Sequence, residues 1–237
     1  MNMAKKMPVA VIAGAGEGNG QALSQQFSDA GYMVAMLARN KEKTDALANQ
    51  IKNAIAFACD VGDVASVNAA FSAIKTQLGD PDVLVFNAGS GVFADIETIT
   101  PDEFEDSWRV NALGALLCSQ QVIPAMKAGE QGNIVFIGAT ASRRGGANTA
   151  AFAPAKAAQR SLAESMARKL WPQGIHVSLV VIDGIVDLPS TRKRMPDTPV
   201  DELVSPQAVA ETVMNIVNQT RQGWSFETEV RPWREKW

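Results

Sequence analysis

Cysteine and histidine are scarce in this chain, and neither charge dominates. Cys59 and Cys118 are its two cysteines, and His176 is the single histidine among 237 residues. Two distant thiols build neither a disulfide framework nor a zinc site, and they read as small apolar fillers in a reducing compartment. Lys and Arg number 22 against 25 Asp and Glu, a formal net charge of -3. With a pI near 5.3, no global positive field attracts a polyphosphate backbone, and nucleic acid is set aside as a partner. Long apolar runs are missing too: no stretch reaches the roughly 18 residues that cross a bilayer. The opening MNMAKKMPVAVIAGAG holds only a short apolar run with no small-residue cleavage site after it. Neither a membrane span nor a signal peptide is expected, and the expected location is cytoplasmic.

What is present is alternation. Short hydrophobic runs at Val9–Ala13, Met33–Leu37, Ala54–Ala58, Val83–Phe86, Ile134–Ile137 and Val177–Ile182 read as buried strands. Helical segments lie between them, with start signals at Asp63, at Ser205-Pro206, and in the Thr100-Pro101-Asp102-Glu103 capping box. From that box Phe104, Trp108, Ala112, Leu116 and Gln120 recur along one long helix ending near Met126, and core packing is the reading of that stripe. The order predicts one α/β domain over residues 1–237, a Rossmann-like doubly wound parallel sheet of about seven strands with helices on both faces. Trp224–Val230 is expected as a last edge or interface strand. Ligands of such sheets bind beyond the carboxyl ends of the strands where the winding reverses, here after Ala13 and after Phe86.

Gly14-Ala15-Gly16-Glu17-Gly18-Asn19-Gly20 follows the first strand and leads into a helix. Glycine there lets backbone N–H groups approach a pyrophosphate at the positive end of the helix, so this turn predicts dinucleotide binding; a merely flexible turn is the alternative. The second strand ends at Ala38-Arg39-Asn40, where an NAD-preferring domain carries an acidic residue. A guanidinium suits a 2′-phosphate, so NADP(H) is favoured over NAD(H) with Asn40 as helper, although Arg39 also reads as a solvated arginine and Glu17 argues mildly against a very anionic ligand.

The glycine turn, Asp60-Val61, Asn87-Ala88-Gly89, Asn111 and Lys156 together resemble the short-chain dehydrogenase/reductase family over essentially the whole chain. The resemblance assigns Asp60 to the adenine amino group, and Val61, Asn87, Ala88, Gly89, Gly184, Ile185 and Val186 to the cofactor pocket. It gives Lys156 to the nicotinamide ribose hydroxyls. It also implies a homo-oligomer, dimer or tetramer, with helices around Ala112 and Ala158 and the last strand as interfaces.

The sequence departs from that family where catalysis is expected. The family places a tyrosine four residues before the lysine and a serine thirteen residues before the tyrosine; Phe152 and Ala139 stand there, leaving Asn111 and Lys156 of the tetrad. Its Pro-Gly after the sixth strand is Asp183-Gly184, and a threonine beyond it is Leu188. Phenylalanine offers no proton, and losing a general acid costs roughly 10²- to 10⁴-fold in rate. Thr140 is considered as a substitute that orients a substrate oxygen or a water, or else as a group satisfying its own loop, with Ser142 a second hydroxyl nearby. Arg143 and Arg144 read as binders of an anionic substrate group or as solvated loop charges. His176 starts a strand at the end away from the site. Residues 188–204 are expected to form a substrate lid with neither strand nor helix period; a solvated loop is the alternative. Two functions follow: an NADP-binding oxidoreductase acting on a small carbonyl or enone of unknown identity, or a catalytically silent NADP-binding regulatory or scaffold protein.

Overall fold

The computed structural model describes residues 6–234. Met1–Lys5, part of the segment weighed above as a signal peptide, lie outside the described residues. Seven strands form one parallel sheet: β1 (Val9–Ala13), β2 (Met33–Ala38), β3 (Ala54–Ala58), β4 (Val83–Phe86), β5 (Gly132–Ala139), β6 (Ile175–Ile182) and β7 (Glu227–Val230). Their order is β3-β2-β1-β4-β5-β6-β7. The winding therefore reverses between β1 and β4, which pair from Ala10↔Val83 to Ala13↔Phe86.

Alternation along each strand feeds two cores, because successive side chains point to opposite faces of a sheet. Val9, Val11 and Ala13 join Phe71, Cys118 and Phe136 in one core, while Ala10 and Ile12 join Leu23, Phe27 and Val213 in the other. The helices are α1 (Asn19–Asp29), α2 (Lys41–Ala48), α3 (Val64–Gln77), α4 (Pro101–Trp108), α5 (Gly114–Ala128), α6 (Phe152–Leu170), α7 (Pro189–Arg194) and α8 (Pro206–Val217). The start signals act as read: the side chains of Asp63 and Ser205 accept from Ser66 N and Ala208 N, and both halves of the Thr100–Glu103 capping box form.

Three expectations need correction. The long helix is interrupted by a π-turn at Arg109–Leu113 that separates α4 from α5. The stripe is core at Ala112 but not at Phe104 and Trp108, each 44% exposed; Ser107, Asn111, Ala115 and Cys118 also face inward. Four-residue periodicity marks a face of a helix without saying which face is covered, and a turn of wider pitch resets the register partway along. Residues 188–204 do contain a helix, α7, opened by Pro189 at its first position. Asp187 and Arg192 brace it through two hydrogen bonds of 2.6 and 2.7 Å.

Candidate functional site

A cavity of about 730 Å³ opens at the carboxyl ends of β1 to β4, a size typical of ligand pockets. Gly14 and Gly16 line it from the glycine turn, Ala38 and Arg39 from the end of β2, Asp60, Val61 and Asp63 from the end of β3, and Asn87 to Ser90 from the end of β4. Backbone proximity explains the glycines. Gly14 has φ +88°, and a side chain there would lie 2.5 Å from Ala88 N; at Gly20 it would lie 2.4 Å from Gly14 O, whereas Gly16 faces open space. Gly18, at φ +90°, leaves the room that the Leu188 side chain fills. The position where the family carries a threonine thus packs an isobutyl group onto the turn.

Asn87 locks the reversal point, donating its Nδ2 to Gly14 O at 2.7 Å while its backbone N–H donates to Ala13 O at 2.9 Å. Asp60 Oδ1 accepts from Gly62 N at 3.0 Å, which orients the carboxylate beside the cavity. Asn40 does not line it. Its side chain accepts from Lys43 N and caps α2, which commits that oxygen to the helix. Asn19, at the start of α1, has a buried Oδ1 with no hydrogen-bond partner. Glu17 in the same turn is exposed. Gly184, Ile185 and Val186 lie outside the cavity lining. Pro232 covers Gly184, and Val186 bridges to Val204.

Sequence reasoning missed Asp106, Arg109 and Val110, which α4 and the π-turn bring to the cavity wall. Gln159 was missed as well, although a polar residue among the alanines of α6 is a visible signal.

The lysine and asparagine meet behind Gly89, where an added Cβ would stand 3.3 Å from Asn111 Oδ1 and 3.8 Å from Lys156 Nζ. Both side chains are buried, at 0% and 5% exposure. Asn111 Nδ2 donates to Ser107 O at 2.8 Å and Ser90 O at 3.1 Å, while its Oδ1 has no partner. Lys156 Nζ donates to Ile137 O at 2.8 Å and Gln159 Oε1 at 3.1 Å. Burial pulls the lysine pKa down to about 7, because a low-dielectric setting disfavours the ammonium.

Phe152 lies one turn before Lys156, its ring centroid 6.0 Å from Nζ and 5.4 Å from that of Phe93. The sole tyrosine, Tyr32, packs on Phe27 just before β2, at the amino ends of the strands. No phenol of this chain reaches Lys156. Ala139, across from Ile182 in the β5–β6 register, brings no hydroxyl. Thr140 donates its hydroxyl to Asp183 Oδ1 at 2.5 Å, and Ser142 Oγ accepts from Ala139 N at 3.1 Å. Thr140 therefore meets any further group as an acceptor. Asp183 also accepts from Arg231 at 2.5 Å. Arg143 is held by Glu227 and Glu229 of β7, which takes it out of the part of anion binder, while Arg144 stays 73% exposed. His176 stacks on Trp224 at the amino end of β6, as its position implied.

The family model described as short chain dehydrogenase matches residues 8–198. The 3-oxoacyl-[acyl-carrier-protein] reductase MabA of Mycobacterium bovis is 30% identical over 182 residues, 77% of this chain and 70% of that protein. Among solved structures, a short-chain dehydrogenase from Rhodopseudomonas palustris superposes with a TM-score of 0.82 at 31% identity, covering 95% of this chain and 99% of the other. A metagenomic short-chain oxidoreductase in complex with NADP superposes with a TM-score of 0.83 at 29% identity, covering 95% and 97%. With the reversal-point cavity, the glycine turn and the buried lysine already in place, the extent of these matches establishes that the chain belongs to the short chain dehydrogenase family.

Proposed function

We propose that this protein is an NADP(H)-dependent oxidoreductase with a reduced catalytic tetrad, acting on a small enone or carbonyl compound. The observation that carries the reading is the pairing of a cavity lined by Gly16, Arg39 and Asp60 with a desolvated Lys156 beside a ring that has no hydroxyl. In this assignment Arg39 takes the 2′-phosphate, the open space at Gly16 and the start of α1 take the pyrophosphate, and Lys156 takes the nicotinamide ribose hydroxyls. NADP in the related metagenomic structure supports the phosphorylated coenzyme. Bound there, a reduced nicotinamide supplies hydride.

The protein's own groups decide which acceptor is served. Phe152 and Ala139 donate nothing, and Thr140 is committed to Asp183. Lys156, with a pKa near 7, stands 6.0 Å from the Phe152 ring and holds a proton close to neutrality. A conjugated enone suits this site better than a simple ketone, because hydride addition at carbon leaves a delocalised enolate that needs less from a local acid. In the same reading residues 188–204 form the substrate lid, the protein works in the cytoplasm, and the outward face of Phe104 and Trp108 is covered by a second copy in a dimer or tetramer.

The test is NADPH consumption across a panel of aldehydes, ketones and enones. Turnover is expected first with enones, and Lys156→Ala should abolish it. Absence of turnover with every compound, together with activity appearing in the double variant Phe152→Tyr, Ala139→Ser, would assign the parent a silent cofactor-binding role instead.

A further inference from the structure

Gln159 is a buried polar side chain that the proposed chemistry leaves unused. It follows Lys156 by three residues on α6 and is 0% exposed. Its Nε2 donates to the backbone carbonyl of Asn111 at 3.1 Å, and its Oε1 accepts from Lys156 Nζ at 3.1 Å. The partners determine which way the amide faces, since a carbonyl only accepts and an ammonium only donates. The carbonyl belongs to the π-turn, 48 residues away in sequence. One side chain thus joins the irregular turn between α4 and α5 to the functional amine.

We propose that Gln159 is a positioning residue that tethers the Lys156 amine to the π-turn of Asn111 and keeps water from its inner side. The inference deepens the reading above, in which Lys156 holds the nicotinamide ribose. Both hydrogen-bond acceptors of Lys156 are neutral oxygens, those of Ile137 and Gln159. Charged groups on the neighbouring elements pair elsewhere: Arg109 with Glu105, Arg160 with Glu227, and Asp183 with Arg231. His176 lies against Trp171 and Trp224. With no carboxylate among the described residues on the ammonium, the amide oxygen of Gln159 contributes directly to how readily Lys156 holds its proton.

The experiment is an NMR titration of the full chain carrying ¹³C at the lysine ε-carbons, with the Lys156 resonance identified by its loss in Lys156→Met. Gln159→Leu removes an acceptor from the ammonium and should lower the Lys156 midpoint by about one pH unit. Gln159→Glu keeps an oxygen there and adds charge, so the midpoint should rise by about one unit. Packing alone would move neither in opposite directions. A midpoint in Gln159→Glu that stays at the parent value or falls overturns the proposal, and this variant decides alone if Gln159→Leu does not fold. The pH at which NADPH affinity is half-maximal should follow the lysine in each variant. A parent protein that binds no NADPH would count against the oxidoreductase reading, while the lysine titration would still judge Gln159.

Discussion

Lys156 shows how little of a residue's chemistry is carried by its identity. A free lysine is protonated throughout the neutral range, but burial among β5, α6 and the π-turn brings this one to about 7. Its folded pKa lies below its unfolded value of 10.5. Between those limits the unfolded chain binds more protons, so this group makes stability rise with pH from about 7 towards 10, by at most roughly 1.4 kcal/mol per pH unit. Below the folded pKa both states are protonated and the native protein bears the full cost of a buried charge. Urea unfolding of the parent should therefore show a midpoint that climbs across this window more steeply than in Lys156→Met. Parallel curves for the two proteins would show that the ammonium is solvated in the native state. Lys156 and Asn111 were legible in the sequence through spacing shared with a family. Gln159 was visible as a polar residue among alanines, but its link was not, because its partners Lys156 and Asn111 belong to separate elements.

At the scale of elements, two features position the site. The π-turn holds Asn111 buried, and together with the end of α4 it lines the cavity through Asp106 and Arg109. Short π-turns are frequent at functional sites because the wider pitch re-aims side chains that a regular helix would send elsewhere. The second feature is β7. Its acidic residues interrupt an apolar pattern, which suggested an edge, and in the fold they are its anchors: Glu227 receives Arg143 and Arg160, and Glu229 receives Arg143 and Arg231. Arg231 then reaches Asp183 beside Thr140. Glu227→Gln removes the charge shared by two arginines at a half-buried edge, and should destabilise the protein by about 1 kcal/mol in low salt. The loss should shrink in 1 M NaCl, where the Debye length is about 3 Å. Hydrogen exchange should quicken in β7 while β1 and β4 stay protected. An unchanged urea midpoint at low salt would mean that backbone pairing with β6 alone holds the edge.

For the whole molecule, two cores on opposite faces hold a sheet whose winding reverses between β1 and β4. That reversal leaves a gap between helices where the glycine turn, Arg39 and Asp60 converge. The outer surface carries a second consequence of scale. Phe104 and Trp108, read from periodicity as core, lie in solvent in the single chain, and this is the face that the second copy proposed above would cover. Sedimentation should find the parent as a dimer or tetramer and Trp108→Glu as a smaller species with the same circular dichroism. A parent that sediments as a monomer at micromolar concentration removes the second copy from this face.

Sequence alone determined the order of strands and helices, the glycine turn after β1, the capped helix starts and the phenylalanine one turn before Lys156, because each depends on neighbours a few residues apart. Tertiary structure decided which face of α4 is buried, where the long helix breaks, that Asn40 caps a helix, that Thr140 serves Asp183, and that Gln159 joins Lys156 to Asn111. These depend on which groups compete for one donor, acceptor or apolar surface once distant segments meet. Local pattern records each residue's capacity for such contacts, and only packing assigns its partner.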